Sequence, residues 1–171
     1  MQNWDEILYP PFRSTIRGEY YGIVTQDFID EECYNLALRA ISAFKFPKIS
    51  TEYETFWAIR QEDGTLKEVS SDTEDAIPHG RFISELTYAE IEVILAWMKV
   101  YWAEALISNA DNFDEMYTDN NIKTYSRANA VDKNLKLLGE YRTYAKDLEN
   151  RYSRINSERK SSLGDINSDD D

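Results

Sequence analysis

The chain has 171 residues and a mass of 20.0 kDa, with 32 acidic against 19 basic side chains and a formal net charge of −13. That length allows one domain with a real core, burying roughly two thirds of the unfolded surface, and 42% hydrophobic with 13% aromatic residues excludes wholesale disorder. The charge excludes a grip on nucleic acid by bulk attraction, which needs clustered Lys and Arg, and docking on an anionic membrane, which needs polybasic segments.

Residues 1–26 carry Pro10, Pro11, Gly18 and Gly22 among Tyr9, Phe12, Tyr20 and Tyr21. The Pro-Pro pair is expected to block a helix, so the segment reads as an extended N-terminal arm with aromatic anchors. It is either a strap on its own domain or an arm that reaches a neighbour. Met1 to Leu8 show no basic n-region and no apolar h-region, so no secretory signal is expected.

Residues 27–45 read as the first main helix. Phe28, Ile29, Cys33, Leu36, Ala37, Ala40, Ile41 and Phe44 recur at three- and four-residue steps. Asp27 is the expected N-cap, and Pro47 stops the helix. Cys33 belongs to the apolar face and reads as a small buried hydrophobe, with no basic group near it in sequence to lower its pKa. As the lone cysteine it permits no intrachain disulfide, in keeping with a reducing cytoplasm.

Residues 51–80 read as a β-hairpin and loop insertion. Tyr53, Thr55, Phe56, Trp57 and Ile59 are strand formers, Asp63-Gly64 marks a turn, and Leu66 to Val69 give the return strand. Residues 70–80 read as a polar loop holding the lone histidine, His79. A solitary loop histidine reads as a solvated or turn residue, since no second His or Cys supports catalysis.

The second main helix has the clearest start. Thr87 and Glu90 form a capping box, with Leu86 and Ile91 as its hydrophobic staple. Ile91, Ile94, Leu95, Met98, Trp102, Ala105 and Leu106 line one face, with Val93, Trp97 and Tyr101 beside it. A helix apolar around so much of its circumference is central, or is shared between core and partner. Residues 109–122 are dense in Asp and Asn, but a calcium loop starting at Asp111 would need a liganding third residue and a glycine sixth, where Phe113 and Met116 stand. They read as a polar connection.

The third main helix is expected from about Ser126 to Arg159, roughly 50 Å long at 1.5 Å per residue. Ala128, Val131, Leu135, Leu138, Tyr141, Ala145, Leu148, Tyr152 and Ile155 keep its apolar spacing, and Gly139 is a possible bend or close-approach point. Lys133, Lys136, Arg142, Lys146, Arg151, Arg154, Arg159 and Lys160 give this stretch eight of the chain's 19 basic side chains. This is either a solvated face with mixed pairs or a projecting helix that meets a ring neighbour or an acidic partner. Residues 161–171 read as a disordered acidic tail. The acidity therefore gathers in the 62–75 region, the 109–122 linker and the final three aspartates.

The fold class expected is mainly α: a bundle of about three main helices, one of them long and C-terminal, with a hairpin insertion and extended termini, forming a single domain over 1–160. No nucleotide-binding, metalloprotease or serine-hydrolase motif occurs, and no cofactor, metal site or catalytic residue is expected. No apolar run is long enough to span a bilayer.

The segment from Leu86 to about Arg154 resembles the two-helix core of head-to-tail connector proteins (adaptor, neck or ring proteins) of tailed bacteriophages. Three features carry the resemblance: the Leu86-Thr87-x-x-Glu90 helix start, the Met98-x-x-x-Trp102 pair, and the Lys123-x-Tyr125-Ser126-x-Ala128-Asn129 entry to a long helix. The combination is also similar to neck proteins of phages related to the crAss-like group. The resemblance implies a helical protomer in a ring of twelve copies beneath the portal, with further neck or tail rings as neighbours. DNA passes through its lumen without sequence-specific binding, and no membrane is involved. It implies a place at the virion's head–tail junction, and in the host cytoplasm during assembly. The interface residues expected are Tyr20, Tyr21, Phe56 and Trp57 as anchors, Trp97 and Trp102 on the second helix, and Arg142 and Arg151 on the third; at least one of the two tryptophans is expected in ordinary core. The alternative is an acidic soluble interaction protein, a DNA mimic that blocks a host enzyme, although the basic third helix interrupts any continuous acidic strip. A small enzyme using carboxylates and His79 is the third reading.

Overall fold

A computed structural model describes residues 1–16, 25–61, 63–112 and 122–164, with helical side chains described up to 108 and again from 131 to 154. The chain forms two compact units, Met1–Lys99 and Val100–Asp171, where the sequence reading has one domain over 1–160.

The first unit overturns the expected mainly-α bundle. It contains a four-stranded antiparallel sheet in the order β1-β4-β2-β3, formed by β1 (Gln2–Asn3), β2 (Tyr53–Arg60), β3 (Leu66–Val69) and β4 (Ile77–Phe82). The hairpin of β2 and β3 forms as its composition requires, with Trp57 opposite Val69 and Arg60 opposite Leu66. Gly64 takes φ +84 in the connection, and the Asp63 carboxylate accepts from the backbone N–H and hydroxyl of Thr65 at 2.9 and 2.7 Å. The hairpin is not an insertion standing on its own. β4 pairs along β2 from Tyr53↔Phe82 to Ala58↔Ile77, and the chain start adds β1 beside Phe82 and Arg81.

Strand β4 falls where a polar loop was expected. Its sequence, IPHGRF, sets one β-branched residue among Pro, His and Gly, so propensity gives no signal. Pro78 is tolerated because β1 reaches only positions 81 and 82, which leaves β4 open on that side at position 78. Gly80 is required by packing. A Cβ there would stand 2.5 Å from Cδ2 and Cζ3 of Trp4, so the indole lies flat against the bare backbone.

The expected extended arm is helical. Two short helices, α1 (Trp4–Ile7) and α2 (Tyr9–Thr15), follow each other through Leu8. Pro10 and Pro11 sit in the first turn of α2, where backbone N–H groups have no intrahelical acceptor, so the prolines start the helix they were expected to block. Trp4, Leu8 and Phe12 recur at four-residue steps and are completely buried, with Tyr9 beside them. Residues 17–24, including Tyr20 and Tyr21, lie outside the described residues.

Helix α3 runs Gln26–Ala43 and lies against β4. Its cap is Thr25, not Asp27: the Thr25 hydroxyl accepts from the Phe28 N–H at 3.4 Å, and Asp27 falls in the first turn. Ile29, Cys33, Leu36, Ala37, Ala40 and Ile41 are buried as the periodicity requires, whereas Phe28 is 48% exposed.

Helix α4 (Tyr88–Asn112) opens on the expected capping box. Glu90 Oε2 accepts from the backbone N–H and hydroxyl of Thr87, both at 2.8 Å. Glu90 is also completely buried, and its Oε1 accepts from the backbone N–H groups of Lys48 (3.2 Å) and Ile49 (2.8 Å). The carboxylate thus fastens the segment after α3 to the helix start. Val93, Ile94, Ala96, Met98, Val100 and Ala103 are all buried, and Ala96 and Met98 point about 160° apart around the axis, so α4 is buried on opposite sides.

The second unit contains the end of α4 and helix α5 (Ile122–Gly164), 43 residues and roughly 65 Å long. The helix is longer than expected at both ends. It takes in 161–164 of the expected tail; residues 165–171 and the linker residues 113–121 lie outside the described residues. Leu138, Ala145, Glu149 and Tyr152 form its buried side.

Candidate functional site

Chemistry-bearing side chains meet in two places. The first is the interior of the first unit. Asp30 on α3 is 1% exposed and accepts from Gln26 Nε2 at 2.7 Å and from Arg60 Nη2 at 2.5 Å. The same guanidinium donates from Nη1 to the Gly64 carbonyl at 2.7 Å, which ties the hairpin turn to the helix. The negative charge of Asp30 acts on Tyr9, Cys33 and His79, so the lone cysteine and the lone histidine both belong to the surroundings of this ion pair.

His79 is not a loop residue. It stands in β4 opposite Phe56, completely buried, with the two rings stacked at 5.8 Å and 24°. Burial holds its imidazole below the ordinary value, against the opposing pull of Asp30. Cys33 is completely buried, and burial pushes its thiol up to about 12. A neutral, inaccessible imidazole and a protonated thiol are arranged for packing, not for proton transfer or nucleophilic attack. Among the described residues, no three His, Cys, Asp or Glu side chains gather as metal ligands, and no helix is long and apolar enough to cross a membrane.

The second place is the surface, where interface residues were expected. Phe56 is half-buried: Arg81 stacks its guanidinium 5.0 Å from the ring centroid while bonding Glu54 at 3.2 Å and Glu68 at 2.8 Å. Trp57, the next residue along β2, is 40% exposed. Trp97 and Trp102 are both half-buried, neither core nor free surface. Arg142 on α5 bonds Glu104 on α4 at 2.6 Å, with 51% of its side chain exposed. Arg151 is exposed. Phe56 and Trp57 are adjacent on β2, and Arg142 and Arg151 share α5.

Sequence reading missed several exposed apolar side chains. Tyr88 at the start of α4 is 76% exposed, Ile83 just after β4 is 42% exposed, and Tyr53 at the start of β2 is 36% exposed. Leu135, placed on the apolar face of α5, is 51% exposed, and Tyr144 is 49% exposed. A signal existed for Tyr88, which falls outside the apolar spacing of α4; Leu135 keeps the spacing of its neighbours and gives none.

No protein-family model matches this chain, and no curated protein or solved structure matches it.

Proposed function

We propose that the chain is a structural subunit of the head-to-tail connector of a tailed bacteriophage, one copy of a ring between portal and tail that surrounds the channel through which DNA leaves. The observation that carries this reading is α5. Inside its own unit its partner is the end of α4 at 100–112, roughly 20 Å of helix against roughly 65 Å. A rod that outreaches its partner in this way offers length for contacts with neighbouring copies. Exposed Leu135 and Tyr144 on the same rod support that use, because an apolar side chain half in water gains from being covered.

The charge supports the same reading. A ring whose copies each carry a net charge of −13 repels the DNA phosphates as a whole, which favours passage over holding. The role needs binding surfaces and no catalytic group, in keeping with the inaccessibility of His79 and Cys33.

Mass spectrometry of purified virions, followed by reconstruction of the head–tail junction by electron microscopy, tests the proposal. The expected result is a ring of identical subunits of 20.0 kDa next to the portal. Mature particles that lack the protein overturn it.

A further inference from the structure

Helix α5 has a second side, turned away from the one it buries in its own unit. Leu138, Ala145, Glu149 and Tyr152 are buried together. At about 3.6 residues per turn, Lys136, Glu140, Thr143 and Asp147 fall within about 60° of one another on the opposite side of the axis. Gly139 stands about 40° beyond this strip on one flank, and Tyr144 about 40° beyond it on the other. All six residues are exposed and line one shallow recess. Nothing lies within 4 Å of where a Cβ on Gly139 would stand, and Tyr144 is 49% exposed. Among the described residues, no ion pair engages Lys136, Glu140 or Asp147.

The order of these side chains along the helix is self-complementary. They stand in three pairs about the midpoint between Tyr141 and Arg142: Lys136 with Asp147 outermost, Gly139 with Tyr144 next, and Glu140 with Thr143 innermost. A second α5 turned end for end therefore brings Lys136 of each copy opposite Asp147 of the other. Tyr144 then lies beside Glu140 of the other copy, where its hydroxyl can donate to the carboxylate. The bare Gly139 lies beside Thr143 of the other copy, so the two backbones can come close. A parallel pairing instead sets Lys136 against Lys136 and Asp147 against Asp147, which like-charge repulsion disfavours.

We infer that α5 packs antiparallel on α5 of a second copy through the Lys136–Asp147 face. The occupant is a second copy because the face carries opposite charges at equal distances on either side of its own centre, so it matches itself under a two-fold rotation. Such a contact uses the same surface on both copies and is complete once two copies have met. It joins copies in pairs and does not close a ring, so the inference goes beyond the connector reading and does not rest on it.

The test uses charge reversals on the full chain. Lys136→Glu sets a carboxylate against Asp147 at both ends of the contact, and Asp147→Lys sets an amine against Lys136 at both ends. Each single variant should lose the pairing. Mixed in equal amounts, the two variants should pair with each other, because every reversed charge then meets an opposite one. The double variant, Lys136→Glu with Asp147→Lys, should pair with itself for the same reason. Both side chains are exposed, so far-UV circular dichroism of every variant should match the parent chain. If Lys136→Glu loses helicity, Asp147→Lys and the double variant carry the test. The contact spans only about three turns of helix, so the pair should dissociate on dilution, and mass is read by sedimentation equilibrium and native mass spectrometry over a dilution series. At the concentrated end, the parent chain, the mixture and the double variant should show twice the mass of either single variant. A parent chain that stays at 20.0 kDa at every concentration overturns the contact. So does a single variant that keeps the parent's mass, or a mixture or double variant that fails to regain it. The connector reading is untouched by any of these results and falls on the absence of the protein from virions.

Discussion

Two positions in the first unit are decided at the level of single atoms. At Gly80 the Trp4 indole occupies the space a side chain would take, with ring carbons 2.5 Å from the site of an added Cβ, and both residues are completely buried. The indole cannot swing into solvent, so Gly80→Ala should cost about 3 kcal/mol, the upper end for overpacking. It should also change the near-ultraviolet circular dichroism, since Trp4 packs against Tyr34, Tyr53 and Phe82 at 5.2–5.8 Å. An unchanged urea midpoint would show that the indole does not lie on this glycine. At Glu90, both carboxylate oxygens accept, and all the donors are fixed by the backbone or the cap. Glu90→Gln turns one oxygen into a donor facing donors in a site without water access. The expected loss is about 3 kcal/mol, against about 1 kcal/mol for Thr87→Ala, which removes the cap alone. Urea denaturation of the two variants side by side checks the ratio.

Among the elements, the helix starts separate what local pattern gives from what it does not. Thr25→Ala should lower stability by about 1 kcal/mol, whereas Asp27→Ala, which removes only a first-turn charge, should cost a few tenths. Equal losses would return the cap to Asp27. The sequence placed that cap two residues late because Thr25 and Asp27 are both capping types and the apolar spacing does not choose between them. It placed the α4 start correctly because Thr87, Glu90 and the apolar run after them agree. The hairpin of β2 and β3 was legible from Asp63-Gly64 and its flanking strand formers. Strand β4 was not, because its place depends on pairing with β2, a contact far apart in sequence that makes a strand of Pro78, His79 and Gly80 against their propensities. The two short N-terminal helices were hidden for a related reason: Pro10 and Pro11 read as breakers unless they are known to occupy a first turn. Of the candidate surface, aromatic type pointed to Trp57, but nothing local distinguishes the exposed Leu135 from the buried Leu138 three residues on.

Across the whole molecule, acid acts on stability in two opposed ways, and the lone histidine separates them. At pH 7 the net charge is −13 and the isoelectric point is near 4.5, so lowering the pH from 7 relieves self-repulsion and favours the compact state. His79 acts in the other direction. Burial, the largest cause, holds its pKa in the folded chain below 6.5, with the Arg60 charge adding to the effect and Asp30 opposing it. Between the folded value and 6.5 the unfolded chain binds the extra proton, so stability rises with pH in that window and falls as pH drops through it; above 6.5 the imidazole is neutral in both states and the contribution is constant. Asp5 has the reverse sign at lower pH. Burial raises its carboxyl above 3.8, so the folded chain holds the extra proton and stability from this group falls as pH rises through that range. The raised Cys33 thiol titrates well above either window. Comparing the parent chain with His79→Gln at each pH cancels the carboxylates common to both. Whatever the uniform cost of the substitution, the parent's advantage should be flat from pH 8 to about 6.5. Below that it should shrink, by at most about 1.4 kcal/mol per pH unit, the limit for one proton. An advantage that stays level down to pH 5 would mean that His79 takes up its proton as readily in the folded chain as in the unfolded one, and the buried, stacked imidazole of β4 would have to be abandoned.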